Sequence, residues 1–357
     1  MKTYIKFLLS TFLLSLIKVS LILTTLILII NIFEEIEFLK KTNSHFLLPF
    51  FLSLLNTPSI IYDIFPFIFL ISTQFFFIKL IENNQLQIFK YSGLTNIKIL
   101  SIIGSFVFIL GIFIVVFFYN ISSQFKNYYL ELKNNFSEDD KYLAVITENG
   151  LWIKDEIDEK INIINATEID EQYLNNVIIT QYDKNYKYIR TIQGERIDIS
   201  QNKWKILNST IFKDNISLDF DQIYFNSNFN LKKINSLFSN LSSLSILELY
   251  SLKKNYLSLN YSITEVDSHI NKIFSYPFYL SIMTMIASVI MFNIKYQKNS
   301  LFKIILGISI SVIIYYITYF FNVMGVNEKI PLILSIWLPL FILSLIILIS
   351  IIRLNEK

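Results

Sequence analysis

The stretch from Ile330 to Ile352, IPLILSIWLPLFILSLIILISII, decides the fold, because no charged side chain interrupts it. A transmembrane α-helix needs about 20 mostly apolar residues to cross the hydrocarbon core of a bilayer. Comparable apolar stretches occur at Leu8–Phe33, Ile60–Ile81, Ile99–Phe118, Ile273–Ile294 and Ile304–Val326. The sequence therefore predicts six transmembrane helices, three before and three after a long polar middle.

The composition also indicates a membrane protein. Hydrophobic residues make up 53% of the chain, the mean hydropathy is +0.50, and only 17% of the residues are charged. Ordinary soluble domains contain about 25% charged residues. The net charge of +3 comes from lysines that are spread along the chain rather than clustered into a phosphate-binding patch. We therefore predict the membrane as a partner and exclude nucleic acid.

The orientation is predicted from the short loops, because lysine and arginine are enriched on the cytoplasmic side. One set of loops and termini holds Lys2, Lys6, Lys79, Lys90, Lys98, Lys295, Lys298, Lys303, Arg353 and Lys357. The opposite loops, Glu34–Lys41 and Asn327–Lys329, balance their lysines with glutamates. We therefore predict a multi-pass membrane protein with both termini in the cytoplasm and the polar middle on the opposite side of the membrane.

The polar middle is predicted to form a β-rich domain. Short apolar runs separated by polar breaks are typical of strands, and they lie at Tyr142–Ile146, Leu151–Ile153, Ile161–Ile164, Val177–Thr180 and Tyr188–Ile192. The segment Lys203–Ile206 alternates polar and apolar residues as a half-buried strand does. The chain has no cysteine, but a domain of roughly 150 residues can hold a core without disulfides. We expect an antiparallel sandwich or open jelly roll that ends near Asn230.

The predicted fold class is thus a membrane α-helical protein, with three plus three transmembrane helices and an inserted all-β, jellyroll-like domain outside the membrane. The predicted division is residues 1–119 for the first three helices, 120–271 for the β domain, and 272–357 for the last three helices. A Leu/Ser-rich stretch at about 234–254 is expected to be helical and to lead back to the membrane.

Enzyme chemistry finds no support in the sequence. Neither of the two histidines, His45 and His269, stands in a metal-ligand spacing such as H-E-x-x-H. None of the seven glycines begins a G-x-x-x-x-G-K phosphate loop. We therefore predict no catalytic residues, no metal site and no cofactor bound by this chain.

Charged residues inside apolar spans are functional candidates, because burying a charge in hydrocarbon is costly. The last three spans contain none, which argues against an ion-coupled pump. Lys18 in the first span is compatible with snorkelling to the cytoplasmic surface or with lining a cavity. Asp63 follows Pro58 in the second span, near its outer end, and we treat it as a candidate lipid contact in a wetted cavity.

The segment between the second and third spans differs from the other short loops. Within about 82–93, Leu86, Phe89 and Lys90 stand at helical spacing, and Gly93 is suited to end a helix. This pattern predicts a short amphipathic helix on the cytoplasmic face. Such a helix either lies in the lipid headgroups or docks in a groove of a cytoplasmic partner.

Several of these segments, in this order, resemble the lipopolysaccharide export permeases LptF and LptG, and the resemblance covers essentially the whole chain. The similar segments are Asn84–Thr95, the prolines Pro58 and Pro66, Gly150–Asp155 (GLWIKD), Lys203–Ile206 and Asn271–Pro277. The GLWIKD strand is more similar to the LptG side of the family.

The resemblance implies that the chain is one permease subunit of an ABC-type lipopolysaccharide exporter in the bacterial inner membrane, with its large polar domain in the periplasm. An LptF-like subunit would pair with it, and a dimer of an LptB-like cytoplasmic ATPase would use the ATP. An LptC-like periplasmic protein would receive the lipopolysaccharide from its β domain. The chain itself would not be an enzyme.

The resemblance also implies roles for particular residues. The candidates for coupling to the ATPase are Glu82, Gln85, Leu86, Phe89 and Gly93. Gln85 stands where many family members have a carboxylate, and Glu82 is one turn earlier. The candidate lipid contacts near the outer surface are Lys40, Lys41 and Lys126. Lys126 corresponds best to a basic residue that family members direct at lipid phosphates, and Tyr129 replaces a second one. Lys40 and Lys41 are only neighbours of the basic residue that the family has near the end of the first span, which has no clear match here. Interfacial anchoring is the alternative role for all three lysines.

Two other functions stay open. The first is a membrane-anchored periplasmic sensor or interaction protein without transport activity, although six spans exceed what an anchor needs. The second is a membrane-embedded enzyme acting on lipids, which lacks a recognisable catalytic constellation in the sequence.

Overall fold

The computed structural model describes residues 3–40, 45–134, 136, 151–157, 159–170, 172–213, 216–231, 234, 240–258, 262–293 and 300–355. The chain divides into two compact units. The helical unit comprises Met1–Tyr129, Ser242–Ile246 and Thr264–Lys357, and the β unit comprises Leu130–Leu241 and Leu247–Ile263. The sequence-based boundary stands at residue 272, whereas the structure assigns 264–271 to the helical unit because one helix begins at Thr264.

The helices of the chain are α1 (Thr3–Leu39), α2 (Leu48–Glu82), α3 (Gln85–Tyr91), α4 (Asn96–Phe113), α5 (Tyr119–Asn134), α6 (Ile246–Ser258), α7 (Thr264–Asn293), α8 (Ser300–Val326) and α9 (Leu332–Asn355). A π-helical segment, Ile114–Phe118, joins α4 to α5 without a break. Among the described residues, six helices are long and apolar enough to cross a membrane, with α4 through α5 counted as one. The prediction of six transmembrane helices is confirmed.

Helix α2 lies at the centre of the helical unit and packs against α1, α7 and α8. Its core is aromatic, and the ring of Phe12 on α1 lies 6.4 Å from Phe69 and 5.8 Å from Phe76. The prolines Pro58 and Pro66 lie inside α2. Proline is tolerated in membrane helices because neighbouring groups can satisfy the freed backbone carbonyls.

Helices α4 and α7 approach each other closely at small residues. A Cβ added to Gly111 would lie 2.8 Å from Cα of Pro277, so only glycine allows this contact. Close backbone approach at small residues is typical of helix packing in membranes. The π-helical segment begins three residues after Gly111, and such segments are frequent at functional sites.

The β unit contains a six-stranded antiparallel sheet whose strands follow one another in chain order. The strands are β1 (Leu151–Ile157), β2 (Lys160–Asp170), β3 (Tyr173–Asp183), β4 (Tyr188–Asp198), β5 (Lys203–Lys213) and β6 (Ile216–Asn226). The predicted all-β insertion is confirmed, and β1 to β5 include the runs predicted from Leu151 onward. The run Tyr142–Ile146 lies outside the described residues, and β6 was not predicted as a separate strand.

Two strands, β3 and β5, have a left-handed residue in the middle, on a line that crosses β4 at Glu195. Asn176 in β3 and Asn208 in β5 have positive φ angles of 49° and 48°. In β5 the buried positions are Trp204 and Ile206 before this line and Ser209 after it, so the alternation shifts by one residue. A residue with left-handed backbone torsion angles turns the strand. The shift of the buried positions by one residue then keeps the same face of the sheet buried.

The sheet is rolled, because its two edge strands meet at one end. Five spacings of about 4.8 Å would separate β1 from the end of β6 by about 24 Å in a flat sheet. Instead, the carboxylate of Asp155 on β1 accepts hydrogen bonds from Ser227 Oγ at 2.8 Å and from Asn228 Nδ2 at 2.9 Å. Asp155 is therefore the residue of the GLWIKD motif that closes the rolled sheet.

The rolled sheet encloses an apolar interior. Trp204 is completely buried, and its indole Nε1 donates to the carbonyl oxygen of Phe229 at 2.8 Å. The first half of β6 is different, since Ile216, Leu218 and Phe220 are 61%, 55% and 41% exposed. The interior of the β unit is thus closed around Trp204 and open beside the start of β6.

Candidate functional site

A buried polar network, here called the Lys126 cluster, joins α1, α2 and α5 inside the helical unit. Nζ of Lys126 donates to Oδ1 of Asn56 at 2.7 Å, and Nδ2 of Asn56 donates to Oδ1 of Asn31 at 3.2 Å. The hydroxyl of Tyr129 donates to Oε1 of Glu35 at 2.7 Å. The ammonium of Lys126 also lies 4.8 Å from the ring centroid of Tyr129.

Helical spacing explains how these side chains meet. Asn31 and Glu35 are four residues apart on α1, and Lys126 and Tyr129 are three apart on α5, so each pair lies on one face of its helix. Asn31 and Glu35 are only 2% and 1% exposed. Buried polar and charged groups are costly unless they are paired, and inside a membrane helix bundle they mark functional positions.

An aromatic cluster fixes α2, α5 and α7 next to this network. Tyr62 stacks on Tyr276 with ring centroids 4.4 Å apart, and the Tyr276 hydroxyl donates to the carbonyl oxygen of Tyr62. The ring of Tyr119 lies 5.1 Å from that of Tyr62. The Tyr119 hydroxyl is 3.0 Å from Nε2 of His269 and donates to the carbonyl oxygen of Leu244. His269 therefore makes a structural contact within the helical unit.

Two exposed charges adjoin the aromatic cluster. Asp63 follows Tyr62 on α2, and Lys272 is one turn before Tyr276 on α7. Asp63 interacts electrostatically with both Lys126 and Lys272. Three charges from three different helices therefore lie together, and two of them are positive. The two ammonium groups can bind a phosphate through charge-assisted hydrogen bonds, and Asp63 offsets one of their two positive charges when no phosphate is bound.

The structure brings together two of the four predicted lipid contacts, Asp63 and Lys126. Lys40 is exposed just beyond the end of α1, where its amide donates to the carbonyl oxygen of Glu37. Lys41 lies outside the described residues. Sequence reasoning missed Lys272, although it lies inside the segment Asn271–Pro277 that carries part of the family resemblance. It was overlooked because it stands just before the predicted start of the fourth span.

The predicted coupling helix is α3, and its residues divide between two sides. Leu86 is 2% exposed, so it holds the helix against the rest of the helical unit. The ring of Phe89 lies 5.9 Å from that of Phe7 on α1. By contrast, Ile88 is 61% exposed and Tyr91 is 89% exposed. The exposed surface of α3 therefore includes Ile88 and Tyr91, while Leu86 and Phe89 hold the helix in place.

The helix α3 ends just before Gly93, the residue that the sequence predicts to end it. Gly93 has a φ of 80°, and its amide donates to the carbonyl oxygen of Lys90 at 3.0 Å, which ends the helix. Glu82 is exposed at the end of α2. Oε1 of Gln85 is buried and accepts no hydrogen bond in the part of the chain that the structure describes. All five predicted coupling residues thus belong to one short segment.

Among the described residues, no group of three or more His, Asp or Glu side chains converges as metal ligands. Nδ1 of His45 accepts a hydrogen bond from the amide of Leu47, which is a local contact within a turn.

Six helices able to span a membrane, a polar network between three of the helices and an inserted rolled β unit together define a multi-pass membrane protein with a β insertion. Residues 6–353 match the family model described as lipopolysaccharide export system permease LptF/LptG. The chain belongs to this family, whose members are transport subunits rather than enzymes. A search of curated proteins gives no match.

Proposed function

We propose that this chain is an LptG-like permease subunit of an ATP-driven exporter in the bacterial inner membrane. It extracts lipopolysaccharide from the membrane and passes it through its β unit towards the outer membrane. An LptF-like subunit pairs with it, an LptB-like ATPase dimer binds α3 and hydrolyses ATP, and an LptC-like protein receives the lipid in the periplasm. The membership of the family supports the transport of lipopolysaccharide.

The observation that carries this proposal is the convergence of Lys126 and Lys272 on Asp63. Lipopolysaccharide bears phosphate groups on a lipid anchor, so its recognition in the membrane needs positive charge next to hydrocarbon. Lys126 and Lys272 supply that charge from α5 and α7, beside the apolar surfaces of their own helices. Ionisable residues in such positions mark substrate pathways.

The β unit supplies what the extracted acyl chains need. Removing an acyl chain from the bilayer costs about 0.8 kcal/mol per CH₂, so a chain of a dozen carbons costs on the order of 10 kcal/mol. The apolar interior that opens beside Leu218 and Phe220 offers shelter from water. Because extraction costs this much free energy, the exporter needs ATP hydrolysis. Since no phosphate loop occurs in this sequence, the ATPase is a partner protein.

The orientation follows from the distribution of charge. The lysine-rich loops lie at the end of the bundle that holds α3, and the positive-inside rule assigns this end to the cytoplasm. The β unit then lies in the periplasm. There, the edge of β6, which pairs with no further strand among the described residues, can pair with a strand of an LptC-like partner through its backbone donors and acceptors.

A reconstituted transport assay tests the proposal. Proteoliposomes containing the chain, its partner subunit and the ATPase should release lipopolysaccharide to a soluble periplasmic acceptor only when ATP is present. Proteoliposomes with a hydrolysis-deficient ATPase are the control and should retain the lipid. If the complete assembly hydrolyses ATP yet retains lipopolysaccharide as the control does, the transport function is wrong for this chain.

A further inference from the structure

A row of polar side chains crosses the interior face of the β unit, one from each of five strands. It consists of Asp155, Asn162, Gln181, Arg190 and Lys213. Asp155 pairs with Asn162, Asn162 with Gln181, and Gln181 with Arg190 in the strand register. Arg190 and Lys213 are the next residues beyond the paired Thr191 and Phe212, so they lie side by side on β4 and β5.

Hydrogen bonds connect the side chains of the row, which has a negative charge at one end and positive charges at the other. Nε2 of Gln181 donates to Oδ1 of Asn162 at 2.6 Å, and Nε of Arg190 donates to Oε1 of Gln181. At the negative end, the carboxylate of Asp155 already has hydrogen-bond donors, because it accepts hydrogen bonds from Ser227 and Asn228. The positive end has two cations, a half-buried Arg190 and an exposed Lys213.

The row lies on the same face of the sheet as the apolar interior. Alternation places Arg190 on the side of Ile192, which is 2% exposed. On the neighbouring strands, Lys213 pairs with Ile216, and Ile211 pairs with Leu218. The two cations therefore border the exposed apolar side chains at the open part of the interior.

Two like charges on adjacent strands repel each other, and this arrangement destabilises a sheet. Of the residues that the structure describes, none forms an ion pair with Arg190 or Lys213. A bound phosphate would remove the repulsion, and Arg190 is suited to it because its guanidinium presents a planar fork of donors. Charge complementarity and the adjacent apolar surface both indicate an anionic amphiphile rather than a soluble anion.

We propose that Arg190 and Lys213 form a phosphate-binding site inside the β unit, for a phosphorylated lipid whose acyl chains lie against Leu218 and Phe220. This inference rests on the proposed function and adds a headgroup site to its periplasmic part. The site orients the lipid, with its phosphate at the polar row and its acyl chains in the apolar interior.

Photo-crosslinking in the full-length chain, within the assembled exporter, tests this site. A photoreactive amino acid replaces Leu218 in the β unit or, in a second strain, Phe125 beside Lys126 in the helical unit. Combining Arg190→Gln with Lys213→Gln should lower the yield of lipopolysaccharide adduct at 218 by about tenfold, because charge-assisted hydrogen bonds are lost. The yield at 125 should not change.

Three further samples serve as controls for this experiment. The control variant combines Lys203→Gln with Lys205→Gln, which removes two charges from the outward face of β5 and should keep the full yield at 218. Arg190→Lys keeps the charge but loses the planar fork of donors, so its yield should lie between those of the wild type and the double variant. Enzymatically dephosphorylated lipopolysaccharide should crosslink weakly at 218 even in the wild-type chain, whereas added inorganic phosphate should not compete.

The outcomes separate the site from the transport function. Equal yields at 218 in the wild type and the Arg190/Lys213 variant would overturn the phosphate site while leaving the transport route intact. Competition by inorganic phosphate alone would overturn the assignment to a lipid. An absence of adduct at both 125 and 218 in the wild type would overturn the proposed function, and the phosphate site with it.

Discussion

The substitution Lys126→Glu is expected to reduce the lipid-stimulated ATP hydrolysis of the assembled exporter by about tenfold or more, on the scale of lost charge-assisted hydrogen bonds. Nζ of Lys126 donates to Asn56, and its charge acts on Asp63. A glutamate at this position would repel the lipid phosphate and would add a second negative charge near Asp63. The measurement is the ratio of ATP turnover with and without lipopolysaccharide.

Two variants control for this experiment. Lys126→Arg keeps the positive charge and should retain much of the stimulation. Lys329→Glu reverses an exposed charge in the loop between α8 and α9 of the same helical unit, and it should behave as the wild type does. An unchanged stimulation ratio in Lys126→Glu would remove Lys126 from the lipid site.

The double substitution Ile88→Glu and Tyr91→Glu is expected to weaken ATPase binding by about 100-fold or more, as the loss of two central interface residues does. Both side chains are exposed and stand three residues apart, so they form one patch on α3. Charged side chains there would have to be desolvated in the groove of the partner. Co-purification of the ATPase with the tagged chain from detergent extracts measures the effect.

The same experiment distinguishes docking from membrane-surface binding of α3. Leu247→Glu, which changes an 80% exposed leucine of the β unit, is the matched control and should leave the ATPase bound. If the ATPase also remains bound to the Ile88/Tyr91 variant, then α3 lies in the lipid headgroups and another surface couples the subunits.

The sequence predicts the spans well because the bilayer imposes one strong requirement, a sufficient length of apolar residues. The strands from Leu151 onward were also predictable, since alternation and polar breaks are local features. The bend at Asn176 and Asn208 was not, because a left-handed residue inside a strand leaves no periodic signal. The closure of the sheet by Asp155 depends on contacts with residues more than seventy positions away.

The candidate site could likewise be predicted only in part from the sequence. The sequence identifies Lys126 and Asp63 as charges in unusual places, but their meeting depends on how α2 and α5 are rotated about their axes. Lys272 completes the group only in three dimensions. At α3, helical periodicity identified the amphipathic pattern, yet it did not show that Leu86 faces the permease itself.

Cysteine labelling of the two faces of the membrane tests the central claim most directly, because the natural chain contains no cysteine. Asn185→Cys places a thiol in the exposed turn between β3 and β4, and Gln87→Cys places one on α3. In spheroplasts, a membrane-impermeant maleimide should label the first variant at once and the second only after the membrane is permeabilised. Labelling of position 185 only after permeabilisation would place the β unit in the cytoplasm and contradict the account.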